Sequence, residues 1–336
     1  MGLINGNMML GSTILRRSSK RVSITYELKD CVSSNTVDTV AINSPYQTTI
    51  KSYDKLAYCG VQVLMGNKDI SADVYDIYTG IINIDSLKSD VIIRAETLTT
   101  FEEASWYAVK CVAQSNIMND EEALYNLSWR LGDTKPLIIG DYTYTVRICD
   151  LTPNRYQYVN DIERYSNMIL ECVELVPTPY ARNNQNAGNY GTGTVRGVYL
   201  NTLLPQMPED LNSIVELINL PNFWYDNNKG TSKEKLFMPG TSAVGGQSCE
   251  EEEVYQLYAD QGIIVTQKHT AENNNYVEWW LRTGGFQHQN GYPHWSAEVG
   301  PTVESNGNVG AQQQTGTSQP GNYLLNAKYI PIFWAW

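Results

Sequence analysis

The sequence lacks the features of a membrane protein and of a nucleic-acid-binding protein. No apolar run approaches the roughly 18 residues that a membrane-spanning helix needs. Basic residues are few: 24 Lys and Arg stand against 36 Asp and Glu, which leaves a net charge of −12. Because binding to phosphate backbones depends on basic surface, this balance argues against a nucleic-acid partner. The sequence therefore predicts neither membrane insertion nor nucleic-acid binding.

Cysteine and histidine are also sparse, and their spacing excludes the common metal sites. The six cysteines form no CxxC pair, and the three histidines have no standard ligand spacing, so we expect neither a metal nor a cofactor. Most cysteines lie in apolar surroundings, which predicts buried free thiols and synthesis in a reducing cytoplasm. They are Cys31, Cys59, Cys111, Cys149, Cys172 and Cys249.

Phenylalanine is scarce, whereas tyrosine is abundant, with 5 Phe against 23 Tyr and 8 Trp. Hydrophobic residues make up 42% and charged residues 18% of the 336 residues, which suits a chain with folded cores. Compositions rich in Tyr, Asn and Gly are typical of β-rich proteins that present amphipathic side chains. Tyr26, Tyr142 and Tyr144 alternate with polar residues, so we expect them to serve the cores.

The N-terminal segment carries an isolated basic cluster. Residues 1–21 contain Arg16, Arg17, Lys20 and Arg21 and no acidic residue, although the rest of the chain is acidic. A secretory signal would place its positive charge before the apolar stretch, whereas here the charge follows it. We interpret 1–21 as an arm that attaches to an acidic partner subunit; a frayed, solvated terminus is the alternative.

Residues 22–97 show the two-residue periodicity of half-buried strands. Val22, Ile24 and Leu28 alternate with polar residues, and turn signals separate the later apolar runs. Short strands at this spacing predict a small β-sandwich. The further strand-like runs are Gln47–Lys51, Val61–Met65, Ile81–Ile84 and Val91–Ala95.

Three motifs in 22–97 carry a family resemblance. They are YELKDCVSSN near its start, VLMGNKDIS in the middle and INIDSLKSDVIIRA at its end. Together they resemble an immunoglobulin-like repeat that is common in phage tail and surface proteins of Gram-positive bacteria, with Asn67 where a second glycine is usual. The resemblance implies an all-β immunoglobulin-like sandwich that acts as a spacer without chemistry of its own.

The pattern changes after this region. Apolar residues at helical spacing predict helices within 101–113 and 207–218, and the acids Asp120–Glu122 mark the start of another. Tyr142–Cys149 alternates as a strand. No linker of Pro, Gly or Ser interrupts these elements, so we predict one α+β domain over 98–336.

Six ordered segments carry a second resemblance. They are SWYAVKCVAQSNI, WRLGDTKPLIIGDYTYTVRICDLT, TGTVRGVYLNTLLPQMPEDLNSIV, KLFMPG, EWWLRTGG and NAKYIPIFWAW. They resemble an uncharacterised domain family of phage and bacterial surface proteins with a WWLRSPG…RPAF pattern, whose closing strands are similar to the C-type-lectin fold. Ile330–Phe333 departs from that pattern because its arginine is missing. The resemblance implies a C-type-lectin-like α+β domain.

The stretch 283–323 differs in composition from the rest of this domain. It is rich in Gly, Asn, Gln and aromatic residues and almost uncharged, which suits a neutral hydrogen-bonding ligand such as a glycan, or a protein epitope. An ordinary long loop is the alternative. In hypervariable phage receptor-binding proteins with the lectin-like fold, binding residues lie in this C-terminal region. The candidate ligand-binding residues are Tyr276, Phe286, His288, Gln289, Asn290, Tyr292, His294, Trp295, Asn306, Asn308, Gln312 and Gln314.

Other conspicuous groups favour structural interpretations. Trp279, Trp280 and Arg282 lie in a strand-like run, where paired tryptophans serve a core more often than a sugar site. The glycine-rich run at 191–197 places Arg196 where a dinucleotide fingerprint needs its third glycine. These features therefore predict neither a sugar-binding site nor a phosphate-binding loop.

The acidic residues give no catalytic or metal motif. Glu250–Glu253 suits a solvated helix start better than a calcium site. Asp141, Asp150, Glu171 and Glu174 include no two that the sequence places across a cleft, as a glycosidase requires. We therefore expect a protein that is not an enzyme.

Taken together, the two resemblances and the loop composition predict a phage virion protein. We expect a fibre or adhesin, attached to other virion proteins by its N-terminal arm, that presents the lectin-like domain to a host cell-surface glycan or protein. It would be assembled in the host cytoplasm as a homo-oligomer, a trimer by analogy with phage fibres. The alternative is a structural component of the virion, such as a head decoration, neck or baseplate protein.

Overall fold

The protein is mostly β-sheet with some helices, arranged in several sheets. The β-rich fold that the composition predicts is thus confirmed. Among the described residues, no helix combines the length and apolar character needed to cross a membrane. The computed structural model describes residues 20–54, 56–178, 194–223, 229–240, 243, 253–260 and 330–336, and six two-residue strands between 268 and 310.

The first part of the chain forms two sheets. One has the strand order β3-β1-β9-β5-β6 and the other β2-β4-β8-β7, and β1 runs parallel to β9 while the other pairs are antiparallel. The strands are β1 (Arg21–Lys29), β2 (Cys31–Ser33), β3 (Thr39–Ala41), β4 (Tyr46–Ser52), β5 (Cys59–Met65), β6 (Lys68–Asp69), β7 (Tyr75–Asp76), β8 (Ile81–Ile84) and β9 (Val91–Thr97), with the one-turn helix α1 (Ser71–Val74) before β7.

One apolar core joins these two sheets. Val63 and Ile93 come from the first sheet and Ile50 and Ile82 from the second, and all four are buried. The four later strand predictions are confirmed, because β4, β5, β8 and β9 contain the expected runs. Alternation located them correctly because one face of each strand is buried in this shared core.

The second part contains a four-stranded antiparallel sheet with the order β10-β11-β12-β21. In the described residues, a two-stranded antiparallel pair and five short α-helices accompany it, together with two 3-10 helices (Asn116–Asn119 and Leu204–Gln206) and one π-helix (Tyr199–Leu203). The bounds are α2 (Trp106–Ala113), α3 (Glu121–Leu127), β10 (Thr134–Ile139), β11 (Tyr142–Asp150), β12 (Ile169–Cys172), α4 (Thr194–Val198), α5 (Glu209–Asn212), β13 (Ile218–Phe223), β14 (Lys229–Glu234), α6 (Gln256–Asp260) and β21 (Phe333–Ala335).

The helix predictions are confirmed in part. Asp120 caps α3 by accepting a hydrogen bond from the amide of Ala123. The helix predicted over 207–218 is wrong beyond a single turn, because α5 ends at Asn212 and Ile218 already belongs to β13. The apolar positions of that run are nevertheless buried, so their spacing reflects burial and not a continuous helix.

Two predictions about side-chain burial have different outcomes. Tyr144 is buried, but Tyr142 is 53% exposed because it is the first residue of β11, at the end of the sheet. The five described cysteines are all buried, as expected, and Cys249 lies outside the described residues.

The two parts of the chain are joined by side-chain contacts as well as by the backbone. The buried ammonium group of Lys110 on α2 lies 3.2 Å from a carboxylate oxygen of Asp69 and 2.6 Å from one of Glu216. Gly60 of β5 packs so closely against α2 that an added Cβ would lie 2.4 Å from the Cβ of Ala108. The domain boundary between residues 97 and 98 stays a prediction.

Candidate functional site

Three short antiparallel strand pairs follow one another towards the end of the chain, and the second and third lie within 283–323, the stretch predicted to bind a ligand. Each pair is formed by neighbouring segments of the chain. Their strands are β15 (Lys268–His269) with β16 (Tyr276–Val277), β17 (Phe286–Gln287) with β18 (Pro293–His294), and β19 (Thr302–Val303) with β20 (Val309–Gly310).

The predicted binding residues divide according to these pairs. Tyr276, Phe286 and His294 belong to paired strands. The others lie outside the described residues, so their contact with a ligand stays a prediction. In chain order, His288, Gln289, Asn290 and Tyr292 come between β17 and β18, Asn306 and Asn308 come between β19 and β20, and Trp295, Gln312 and Gln314 come after a pair.

The chain enters this region from a segment that Arg155 holds in place. The Arg155 guanidinium donates to the carbonyl oxygens of Glu253, at 2.9 Å, and Val254, at 2.7 Å. It also forms an ion pair with the buried carboxylate of Asp150, with 2.6 Å between nitrogen and oxygen. Because one planar guanidinium reaches all three acceptors, the backbone before α6 has a defined position.

A second buried ionic group holds α6 itself. The hydroxyl of Tyr258 donates to Glu171 at 2.7 Å, and Arg147 forms an ion pair with the same carboxylate. Burial raises the pKa of Tyr258 well above its usual value, so the phenol stays protonated and acts as a donor. Glu171 is fully buried, and a buried carboxylate needs partners of this kind to remain charged.

The chain returns from this region into the centre of the domain. All residues of Ile330–Trp336 are buried, and β21 pairs with β12. The backbone of Phe333 exchanges two hydrogen bonds with that of Phe237, at 2.9 and 3.1 Å. The return strand therefore has hydrogen-bonded partners on both sides, although it lies at one edge of the four-stranded sheet.

The entry and exit segments also contact each other. The rings of Tyr255 and Phe333 have centroids 6.0 Å apart, and Phe333 packs in turn against Phe237. The two segments that flank residues 261–329 thus meet in one packed aromatic cluster. Flanking segments that are fixed on a scaffold suit ligand binding, because a scaffold can hold the residues that bind.

The acidic residues considered in the sequence have structural partners. Asp150 and Glu171 are fully buried and each forms an ion pair with an arginine, while Glu174 accepts hydrogen bonds from Thr145. Glu253 is exposed and lies 3.7 Å from Arg155. In the ranges that the structure covers, no group of His, Cys, Asp and Glu is arranged to hold a metal ion.

Arg196, from the glycine-rich run, has a structural partner as well. Its guanidinium lies 2.6 Å from the buried carboxylate of Glu234 at the end of β14. This ion pair gives the arginine a role in packing α4 against the β13–β14 pair. Trp279, Trp280 and Arg282 lie outside the described residues, so the core role predicted for them stays a prediction.

The predicted attachment arm overlaps the fold by one residue. Arg21 is the first residue of β1, and its guanidinium donates to the carbonyl oxygen of Thr39 at 2.7 Å. Lys20 is exposed at the start of the described chain, whereas Arg16 and Arg17 lie outside it. The arm therefore ends at Lys20, and attachment through it stays a prediction.

Sequence reasoning missed the ionic groups that hold α6. One signal was present, because Glu171 interrupts the otherwise apolar Ile169–Cys172, and a carboxylate within a buried strand needs a basic partner. The position of Arg155 in a polar loop carried no such signal. Comparisons with known proteins leave the family open, since no family model, no curated protein and no solved structure matches this chain.

Proposed function

We propose that this chain is a non-enzymatic fibre or adhesin of a phage virion. It attaches to other virion proteins through its basic N-terminal arm and presents residues 261–329 to a glycan or protein on the host surface. The observation that carries the proposal is the contact between Tyr255 and Phe333, because it brings together the two segments that flank 261–329. Within that range, 283–323 is almost uncharged and rich in aromatic and amide side chains.

The proposal includes a finer assignment of the fold. Residues 22–97 form an immunoglobulin-like spacer, which is supported by two sheets with a common core and by the motifs within it. Residues 98–336 form a C-type-lectin-like domain, which is supported by the mixture of helices with a four-stranded antiparallel sheet in which Phe333–Ala335 pairs with Ile169–Cys172.

The chemistry of the described residues favours binding over catalysis. Asp150 and Glu171, two of the carboxylates considered for a glycosidase, are neutralised by arginines inside the domain. A general acid or base needs access to substrate, and neither group has it. One weak site per chain becomes effective when several copies act together, so a homotrimer on the particle fits this role.

The binding proposal is tested with the full chain. Its binding to intact Gram-positive host cells and to their purified cell-wall polysaccharide is measured beside a variant in which His288, Gln289 and Asn290 are replaced by alanine. We expect the variant to bind at least tenfold more weakly. Tyr125→Ala is the matched control, because Tyr125 is an exposed aromatic residue on α3 and should leave binding unchanged.

Four results would contradict the proposal. The first is a wild type that binds neither cells nor polysaccharide, and the second is a triple variant that binds as well as the wild type. Binding to assembled particles alone would favour a structural component of the virion. Release of sugar from the polysaccharide would favour an enzyme.

A further inference from the structure

Two buried cysteines face each other across the core of the first two sheets. Cys31 lies on β2 of one sheet and Cys59 lies on β5 of the other. Their side chains are only 4% and 3% exposed, and both belong to the buried core that the two sheets share. Two thiols in one core, on strands of different sheets, are placed to form a covalent link between those sheets.

Strand register and hydrogen bonds place both cysteines near the same end of β9. Thr97 of β9 is the cross-strand partner of Cys59, and its hydroxyl lies 2.9 Å from the hydroxyl of Ser52. Ser52 is in turn the cross-strand partner of Cys31. The Cys31 sulfur also lies 3.4 Å from the carbonyl oxygen of Ala95, two residues before Thr97 on β9. Both cysteines are therefore held against the same end of β9.

We propose that Cys31 and Cys59 form a disulfide between the two sheets when the folded protein meets a peroxide. The assignment is independent of the ligand of 261–329. In the first step the Cys31 thiolate attacks a peroxide oxygen, the O–O bond breaks, and a sulfenic acid and hydroxide form. In the second step the Cys59 sulfur attacks the sulfenyl sulfur, the S–O bond breaks, and the S–S bond forms. Per disulfide, one hydrogen peroxide is reduced to two waters.

The environments of the thiols support this order of events. The neighbouring Cys59 thiol stabilises the Cys31 thiolate and lowers the pKa of Cys31, which favours the form that a peroxide oxidises. The Cys31 sulfur and burial raise the pKa of Cys59, which keeps its proton until the second step. Burial raises the pKa of nearby Cys111, on α2, to about 12, so this third thiol resists oxidation.

The link would have a mechanical consequence. Cys31 belongs to a strand of only three residues, Cys31–Ser33, which a single partner strand, β4, holds in its sheet. A disulfide to β5 would tie this short edge strand to the opposite sheet. The protein can thus fold with reduced thiols in the cytoplasm and become locked after release into a more oxidising medium.

The test uses the full reduced chain, treated with hydrogen peroxide, alkylated, and digested without reductant for peptide mass mapping. We expect a peptide pair that joins Cys31 to Cys59 with the loss of two hydrogens. The oxidised protein should unfold at a temperature on the order of 10 °C higher in the transition of residues 22–97. This mapping needs no substitution, so a variant that fails to fold does not compromise it.

Two variants define the pair. Cys59→Ser should abolish the link and leave a sulfenic acid at Cys31 that reacts with dimedone. Cys111→Ser, the matched control, should form the link as the wild type does. A peptide that joins Cys59 to Cys111, a link between chains, or oxidation of Cys31 without a link in the wild type would overturn the proposal.

Discussion

Tyr255 and Phe333 pack against each other with 6.0 Å between their ring centroids, although residues 261–329 separate the segments to which they belong. Tyr255 precedes α6 by one residue, and Phe333 opens the last strand of the chain. The two segments that flank the region proposed to bind a ligand therefore contact each other and form a common base.

The hydrogen bond from Tyr258 to Glu171 should contribute measurably to this base. Tyr258→Phe removes the hydroxyl and deprives the buried carboxylate of a donor, so we expect a loss of about 2 kcal/mol in the free energy of unfolding. Chemical denaturation measures the change. Tyr125→Phe, at an exposed position, is the control and should change it by less than about 0.5 kcal/mol. Equal effects of the two substitutions would contradict this interpretation.

Arg155 should control the order of the segment that enters α6. Lysine has no planar fork, so Arg155→Lys cannot serve Asp150, Glu253 and Val254 together. We expect faster hydrogen exchange in 253–258 and a destabilisation of about 3 kcal/mol.

Arg130→Lys provides the matched control for this experiment. Arg130 is an exposed arginine that also donates to backbone carbonyls, those of Leu124, Trp129 and Tyr125. Its substitution should leave exchange in 253–258 unchanged. If residues 253–258 exchange hydrogen at the same rate in the wild type and in Arg155→Lys, the aromatic contacts alone are enough to order this segment.

The sequence predicted best those elements whose side chains alternate between core and solvent. β4 and β8 were located because each has one face buried in a local core and the other face more exposed. The run 207–218 misled because buried residues in a turn, a short helix and a strand had helical spacing by coincidence. The contacts that fix the segments flanking 261–329 could not be predicted. They join residues that are distant in the chain, such as Arg155 and Glu253, and such pairings leave no local periodicity.

The contact of Lys110 with Asp69 should make the junction between the two parts of the chain sensitive to acid. Burial favours protonation of Asp69, but the Lys110 ammonium and the hydrogen bonds from Ser71 together more than offset this and hold the pKa of Asp69 below its usual value. The stabilisation is therefore present above about pH 4, the usual range of an aspartate, and is lost as the pH falls through the lowered pKa.

Lys110→Met tests this assignment. At pH 7 we expect a destabilisation of about 3 kcal/mol, because two carboxylates lose their buried partner. The difference between variant and wild type should shrink below about pH 4, as Asp69 becomes protonated in both. Denaturation at a series of pH values measures it. A difference that stays constant from pH 7 to pH 3 would rule out the ionic contact as the cause.

Lys135 should have the opposite kind of pH dependence, at alkaline pH. Burial lowers its pKa to about 8, only partly offset by Glu96 and Asp210, and its ammonium group lies 4.1 Å from the centre of the Trp106 ring. Between pH 8 and the unfolded value near 10.4 the unfolded chain binds more protons, so stability should rise with pH in this window.

Lys135→Met should remove that rise and stabilise the protein at pH 7 by about 2 kcal/mol, since a methionine fills the site between Trp106 and Phe101 without a buried charge. The measured quantity is the difference in unfolding free energy between wild type and variant from pH 7 to pH 10. Because both proteins contain the same tyrosines, the ionisation of tyrosines in the unfolded chain cancels in this difference. Lys51→Met, at an exposed lysine of β4, should give a curve parallel to that of the wild type. A wild-type curve parallel to that of Lys135→Met would mean that Lys135 stays charged in the folded protein up to pH 10, held by Trp106 and by the Ala104 carbonyl to which it donates.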